Sequence, residues 1–261
     1  MDFADFRRDL ELQRPPAVGP ENVGILEEVG STNALARAVV ADYDRECTDL
    51  PHALLLAFAQ SGGRGRLGRA WSSPRGKGVY ATMTMPVAEA ESLLTLPLLV
   101  GVGLCRVLDG LLPEPCRLKW PNDLMVGGRK IGGILIETLL KPEECSMAVI
   151  GFGVNHGQSA AELPERATSL RLAGGAEVTL ARLTWDLVAG VERELIHVGD
   201  AAYAVASYRQ YSLHQPGDSL SVRVGEEVVE GRFAGLDERG MLLLETAGGE
   251  VRVSAGEVIA Q

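Results

Sequence analysis

The chain has 261 residues, 46% hydrophobic and 23% charged, with a formal net charge of −10. That balance predicts a soluble globular protein with one large domain and a small one, and it excludes disordered and fibrous classes. An acidic surface also disfavours a general nucleic-acid binder, because affinity for a phosphate backbone comes from neutralising its charge.

The first residues are charged and lack the apolar core of a signal peptide. Residues 1–22 read as a short leader and a proline-rich connector. Ser31, Thr32 and Asn33 offer N-cap residue types before a helical run at 34–41. Residues 53–59 form an apolar run short enough for a buried strand, which delivers Gln60 to the loop that follows. Period-two alternation predicts a strand at 79–85. A long helix is expected at 92–109, and Pro97, Gly101, Gly103, Arg106 and Asp109 argue against a membrane span there. Short strands are expected at 117–120, at 130–138 after a Gly127-Gly128 turn, and at 147–154. Helical spacing returns at 179–198 and 201–211. After Gln215-Pro-Gly-Asp218 come four or five short strands, which suggest a small barrel. The expected division is 1–22, 23–212 and 213–261. Cys47, Cys105, Cys116 and Cys145 show no zinc or redox spacing and predict unbridged thiols in a reducing cytoplasm.

Residues 51–87 contain no aspartate or glutamate, although the chain is acidic. The cations Arg64, Arg66, Arg69, Arg75 and Lys77 stand there, the first three in Gln60-Ser-Gly-Gly-Arg-Gly-Arg-Leu-Gly-Arg-Ala-Trp71. Glycines let the backbone approach a ligand closely, and arginines fork onto phosphate or carboxylate oxygens. The pattern points to a small polyanion, first a nucleoside triphosphate; a solvated, mobile turn is the plain alternative. Lys119-Trp-Pro-Asn-Asp123 sets a lysine at a strand end beside a proline-fixed turn, or is simply a strand-to-turn corner. In Arg129-Lys-Ile-Gly-Gly-Ile-Leu-Ile-Glu137 the paired glycines admit a ligand or another backbone, or else mark a β-bulge. The four histidines show no metal-ligand spacing, and His156 reads as a surface residue.

With Ser31-Thr-Asn33, Gly151-Phe-Gly-Val-Asn155 and Ala167-Thr-Ser-Leu170, these ordered motifs resemble those of the biotin protein ligases, the biotin–[acetyl-CoA-carboxylase] ligases. The resemblance runs over nearly all of the chain from Ile25 onward. It implies an α+β fold: a mixed, largely antiparallel sheet with helices on one side, of the class II aminoacyl-tRNA synthetase-like or biotin–lipoate ligase type. A small C-terminal SH3-like β-barrel would follow. It implies that biotin and ATP, accompanied by Mg2+, give biotinyl-5′-AMP and pyrophosphate. A lysine of a biotin carboxyl carrier domain then takes the biotin and releases AMP. Two anions meet in the first step, so catalysis must come from cations and positioning.

By this resemblance Lys119, Arg64 and Arg66 are catalytic. The two arginines would fold over biotin and the phosphates, with Lys119 between the biotin carboxylate and the α-phosphate. Ser31, Thr32, Asn33, Gln60, Gly63, Gly65 and Gly133 would join them in holding biotin, whose neutral ureido ring suits neutral polar groups. Arg69, Trp71, Asn122, Lys130 and Asn155 would join them in holding ATP. Trp71 stacks on adenine or is core, and Asn155 reads the adenine edge. No metal site in the protein is implied; Asp123 is a turn former ahead of a role with magnesium. Residues 167–170 are expected to cap a helix.

The leader is too short for the winged helix-turn-helix of repressor-type members, so the monofunctional class is expected. Gly132 stands where many members have alanine, which reads as a slightly wider pocket. Residues 253–261 lack the basic residue that some members bring from the barrel toward the nucleotide. The expected partner is the carrier domain of a carboxylase, with no DNA and no membrane, for a cytoplasmic monomer or homodimer. A lipoate ligase or octanoyltransferase of the related fold is the alternative. A nonenzymatic nucleic-acid regulator is disfavoured by charge and by too few aromatics near the loop.

Overall fold

The computed structural model describes residues 1–45, 52–87, 92–139 and 146–260, so Cys47 and Cys145 lie outside the described residues. A seven-stranded sheet carries β1 (Asn22–Leu26), β2 (Ala53–Ala57), β3 (Gly78–Val87), β4 (Arg117–Lys119), β5 (Asp123–Val126), β6 (Arg129–Leu139) and β7 (Ser146–Asn155). Their order is β1-β2-β3-β7-β6-β5-β4. Strands β1 and β2 are parallel, and the other pairs are antiparallel. The α-helices are α1 (Phe3–Gln13), α2 (Thr32–Arg45), α3 (Ser92–Asp109), α4 (Leu180–Leu195) and α5 (Ala201–Tyr211). The SH3-like barrel is an antiparallel sheet of β8 (Ser219–Val224), β9 (Glu227–Leu236), β10 (Leu242–Thr246), β11 (Gly249–Val253) and β12 (Glu257–Ala260). None of the helices among the described residues is long and apolar enough to cross a membrane.

The centre of the sheet is the β3–β7 pair, in register from Gly78 opposite Asn155 to Val87 opposite Ser146. Every residue of β7 after Ser146 is buried, so both faces of the sheet are covered. Directly paired residues share a face, and neighbours along a strand alternate. Ala81, Phe152 and Ile134 therefore share one face, where Ile134 meets α3 close to Gly101. Gly151 and Gly153 point the other way, toward Asn33 of α2 and the Trp71 ring. This corrects the expectation of helices on one side: α3 covers one face, and the start of α2 closes part of the other.

Three elements escaped the sequence reading: α1, β1 and β5. The leader holds α1, where Asp2 caps the helix by accepting from Asp5 N at 2.9 Å. Phe6 and Leu10, one helical turn apart, are buried, and the Leu10 carbonyl accepts from Trp185 Nε1 at 2.8 Å. Strand β5 was hidden because its four residues are too short to show alternation. It returns to β6 through Gly127 and Gly128, both at positive φ, as a two-residue hairpin requires.

Helices α3 and α4 touch backbone to backbone at Gly103 and Gly190. A methyl added at Gly103 would lie 2.5 Å from the Gly190 carbonyl oxygen and 3.0 Å from Val191 Cα. Backbone cannot swing aside as a side chain can, so the helices would have to part. Gly103→Ala should therefore lower stability by about 1–3 kcal/mol, seen as an earlier urea midpoint with unchanged slope.

Candidate functional site

Strand β2 runs on through Phe58 to Gln60, and the chain then forms the arginine loop. The loop folds back on itself: Gly65 N donates to Arg69 O at 2.7 Å, and Trp71 N donates to Gly63 O at 2.9 Å. A short 3-10 turn at Arg66–Gly68 places exposed Leu67 at φ 55°, a left-handed conformation uncommon for a γ-branched residue. The loop leans over the bare glycines of β6 and β7. Between loop and sheet lies a cavity of about 130 Å³.

Arg64, Arg66 and Lys119 all line this one cavity, although they come from two segments more than fifty residues apart in the chain. Arg69, Trp71, Asn122, Asp123, Lys130 and Gly133 line it as well. Its neutral polar end is formed by Ser31, Thr32, Asn33 and Gln60, with Gly65 on the loop side. Gly63 stays beneath the loop, where an added Cβ would run into the Trp71 carbonyl. Arg75 and Lys77 turn elsewhere: Arg75 pairs with Glu27 at 2.5 Å and Glu28 at 3.3 Å, and Lys77 lies 3.8 Å from Glu162. Of the cations in the acid-free segment, Arg64, Arg66 and Arg69 are thus the ones that converge.

The polar end is a buried hydrogen-bonded chain. Gln60 Oε1 accepts from Thr32 N at 2.9 Å and Thr32 Oγ1 at 3.1 Å, while its Nε2 donates to Ser73 Oγ at 2.8 Å. Thr82 Oγ1 lies 2.8 Å from Thr32 Oγ1 and 2.7 Å from Asn33 Oδ1, so its one proton serves one of them at a time. Asn33 Nδ2 donates to Leu135 O at 3.1 Å and to Glu137 Oε2 at 3.0 Å, and Arg37 holds the other carboxylate oxygen at 2.8 Å. Such a chain fixes side-chain orientation, because a rotated amide would leave buried partners unpaired. Thr82, Ser73, Glu137 and Arg37 were not among the expected residues; only Glu137 stood within a motif.

The cationic end is balanced by nearby acceptors. Lys119 ends β4 opposite Asp123, across a turn with a cis Trp120–Pro121 peptide. The Leu118 carbonyl accepts from Leu213 N at 2.8 Å and Tyr208 OH at 3.2 Å, which anchors β4 from α5 and the segment after it. Asn122 Nδ2 donates to Ile134 O at 2.7 Å, leaving its oxygen toward Arg66 at 3.4 Å. Lys130 pairs with Asp123 at 2.6 Å and stands 5.5 Å from the centre of the Trp71 ring. Burial lowers the pKa of the Arg66 guanidinium, against the pull of Asp123 and Glu257. Glu257, from the barrel, also lines the cavity. Its short-range sequence context gave no signal, because only the tertiary fold brings β12 to the loop.

Several expectations are corrected here. Asn155 does not line the cavity: its buried amide donates to Thr168 O at 2.9 Å and accepts from Gln158 Nε2 at 3.0 Å. Both ends are committed to packing the 158–169 segment. Residues 167–170 start no helix; Ala167 bridges to Lys130, and Thr168 N donates to Lys130 O at 2.9 Å. Gly132 faces away from Gly133, against Leu124 and Val154, so the absent methyl does not widen the cavity. Toward β7 the glycine pair is in regular register, whereas toward β5 the register shifts at Leu124/Met125. The extra residue there is Ile131, so the bulge sits beside the glycine pair, and Gly133 lines the cavity. His156 is half-buried, with Nε2 2.9 Å from Val178 O, and burial lowers its pKa.

The fold and this cavity define a class, and comparison with known proteins agrees. Residues 40–155 match the biotin/lipoate A/B protein ligase family, and residues 221–260 match the biotin protein ligase C terminal domain. The biotin–[acetyl-CoA-carboxylase] ligase of Mycobacterium tuberculosis is 32% identical over 92% of this chain and 90% of that protein. A biotin protein ligase from Aquifex aeolicus, solved in complex with biotin and ATP, superposes with a TM-score of 0.74 at 28% identity. That match covers 91% of this chain and 97% of the Aquifex chain. One from Leishmania major, in complex with biotinyl-5-AMP, gives a TM-score of 0.57 at 25% identity, over 90% of this chain and all of that one. The chain belongs to the biotin protein ligases, a family of ligase enzymes.

The Trp71 ring lies against Gly153, where an added Cβ would stand 2.7 Å from the indole Nε1. Gly153→Ala should lift the ring off the sheet and into the cavity. The expected result is a red shift of tryptophan emission that disappears in a Trp71→Phe background. An unshifted spectrum would mean that the ring does not rest there.

Proposed function

We propose that this chain joins biotin to ATP, giving biotinyl-5′-AMP and pyrophosphate, and passes the biotin to a lysine on the carrier domain of a biotin-dependent carboxylase. One observation carries the reading: Arg64, Arg66 and Lys119 converge on a cavity whose opposite end offers Ser31, Thr32, Asn33 and Gln60. Biotin has that same polarity, a neutral ureido ring at one end and a carboxylate at the other. The neutral end of the cavity supplies donors and acceptors to the ring, and Gly65 and Gly133 leave room beside it.

The carboxylate then points toward Lys119. A carboxylate oxygen attacks the α-phosphorus while the bond to pyrophosphate breaks. Both reactants are anions, so the cations lower the barrier by offsetting charge where it gathers. Arg64 and Arg66, with Arg69, face the polyphosphate; Asn122 and Lys130 brace it, and Trp71 offers a ring for adenine. In the second step a neutral lysine amine attacks the acyl carbon and AMP departs with the electrons of the broken C–O bond. Lys119 stabilises that leaving phosphate.

Magnesium is assigned to the nucleotide. Among the described residues no group of three or more His, Cys, Asp or Glu converges. An ion bridging phosphate oxygens would neutralise part of their charge. We divide the chain into 1–22, a catalytic part at 23–212 and a barrel at 213–261. The catalytic part builds the cavity apart from Glu257. The reading places the reaction in the cytoplasm, which suits the unbridged buried Cys105 and Cys116. It requires neither DNA nor a membrane, and a monomer or homodimer satisfies it.

Lys119→Ala should cut biotin-dependent ATP–pyrophosphate exchange by about 10²–10³, the usual cost of losing one electrostatic donor. Near wild-type exchange would remove Lys119 from the mechanism. Labelled biotin should reach a carrier domain only with ATP, and lipoate should fail to compete. Competition by lipoate would instead favour the related acyl ligases. The loop's glycines and like charges also predict slower tryptic cleavage at Arg64–Arg69 once biotinyl-AMP is bound; equal rates would show that it does not order.

A further inference from the structure

Glu257 opens β12 of the barrel, yet its side chain lines the cavity beside Lys119 and the arginine loop. Arg69 forks onto its carboxylate, with Nη1 2.5 Å from Oε1 and Nη2 on Oε2. Arg223 Nη1 approaches Oε2 at 3.8 Å. The Arg69 hydrogen bonds hold the Glu257 carboxyl below the usual carboxylate range, with Lys119 and Arg223 adding to the effect. One residue earlier, the Gly256 carbonyl accepts from Arg66 Nη1 at 3.0 Å. The loop is thus tied to the barrel at two adjacent positions.

A carboxylate among these cations holds the electrostatic place of a phosphate. A guanidinium fork serves one oxyanion at a time, so Glu257 and an incoming polyphosphate compete for Arg69. The pair is partly exposed, with side-chain exposures of 56% for Arg69 and 26% for Glu257, so it is weak enough to yield to a more highly charged ligand. We infer that Glu257 is an internal anion that holds the arginine loop against the barrel and is displaced from Arg69 when polyphosphate binds. It is a positioning residue that sets nucleotide affinity from outside the catalytic sheet. The inference rests on the ligase reading only in taking ATP as the natural source of that polyphosphate.

Glu257→Gln keeps size and an acceptor oxygen but removes the charge. Titration calorimetry with inorganic tripolyphosphate should show roughly three- to fivefold tighter binding than wild type. In an Arg69→Ala background the same substitution should give no gain, because no guanidinium remains to be released. The KM for ATP in biotin-dependent pyrophosphate exchange should fall by a similar factor. Unchanged or weaker tripolyphosphate binding, or an equal gain without Arg69, overturns the inference. If Glu257→Gln does not fold, Glu257→Ala carries the same readout. Wild-type protein with no biotin-dependent exchange would sink the ligase reading, while the tripolyphosphate series would still decide the role of Glu257.

Discussion

Like charges brought close together repel, and this fold gathers Arg64, Arg66, Arg69, Lys119 and Lys130 around one small cavity. The arrangement persists because acceptors are interleaved with the cations. Asp123 takes Lys130, Glu257 takes Arg69, and Arg66 meets the Asn122 oxygen and the Gly256 carbonyl. The balancing groups come as two adjacent pairs, Asn122 and Asp123 at the β4–β5 hairpin and Gly256 and Glu257 at the start of β12. The hairpin at one sheet edge and the barrel behind the loop therefore share a purpose. They hold positive charge where an anionic ligand can use it without letting the loop spring away.

The other requirement is room. A central sheet buried on both faces has little space for a ligand, and glycines at 133, 151 and 153 create it on one face only. The opposite face stays conventional, with Ile134 packed beneath α3 and paired with buried Phe152. Over the bare face, Asn33 and Trp71 rest almost on the backbone. Asn33, Thr32 and Gln60 are locked by the Thr82, Ser73 and Glu137 contacts. Such preorganisation suits a neutral heterocycle, since the polar groups need not reorient when it arrives.

The barrel enters this chemistry in an unexpected way. Residues 253–261 carry no basic residue. The geometry shows an acid instead, set against the loop that carries the arginines. A small β module attached at the edge of the cavity thereby gains a hold on the loop's electrostatics.

The sequence by itself determined the elements and the chemistry of the parts. Residues 92–109 and 201–211 declare their helices through apolar spacing, and the observed bounds are the same. Strands β2, β3, β6 and β7 are legible in their apolar runs, whereas β1 and β5 are not, and the acid-free arginine loop and the lysine at 119 announce an anion site. These are local signals, written in neighbouring residues. Only the tertiary structure decided which of them meet. It sent Arg75 to Glu27 and Glu28, turned Asn155 inward toward Thr168, and brought Glu257 to Arg69 across 188 residues. It also made a packed helix of the first residues, whose Phe6 and Leu10 mean little until Phe58 and Trp185 stand against them. The physical reason is the same throughout. Local patterns fix backbone conformation, whereas a side chain's partner depends on where distant strands and helices place its neighbours.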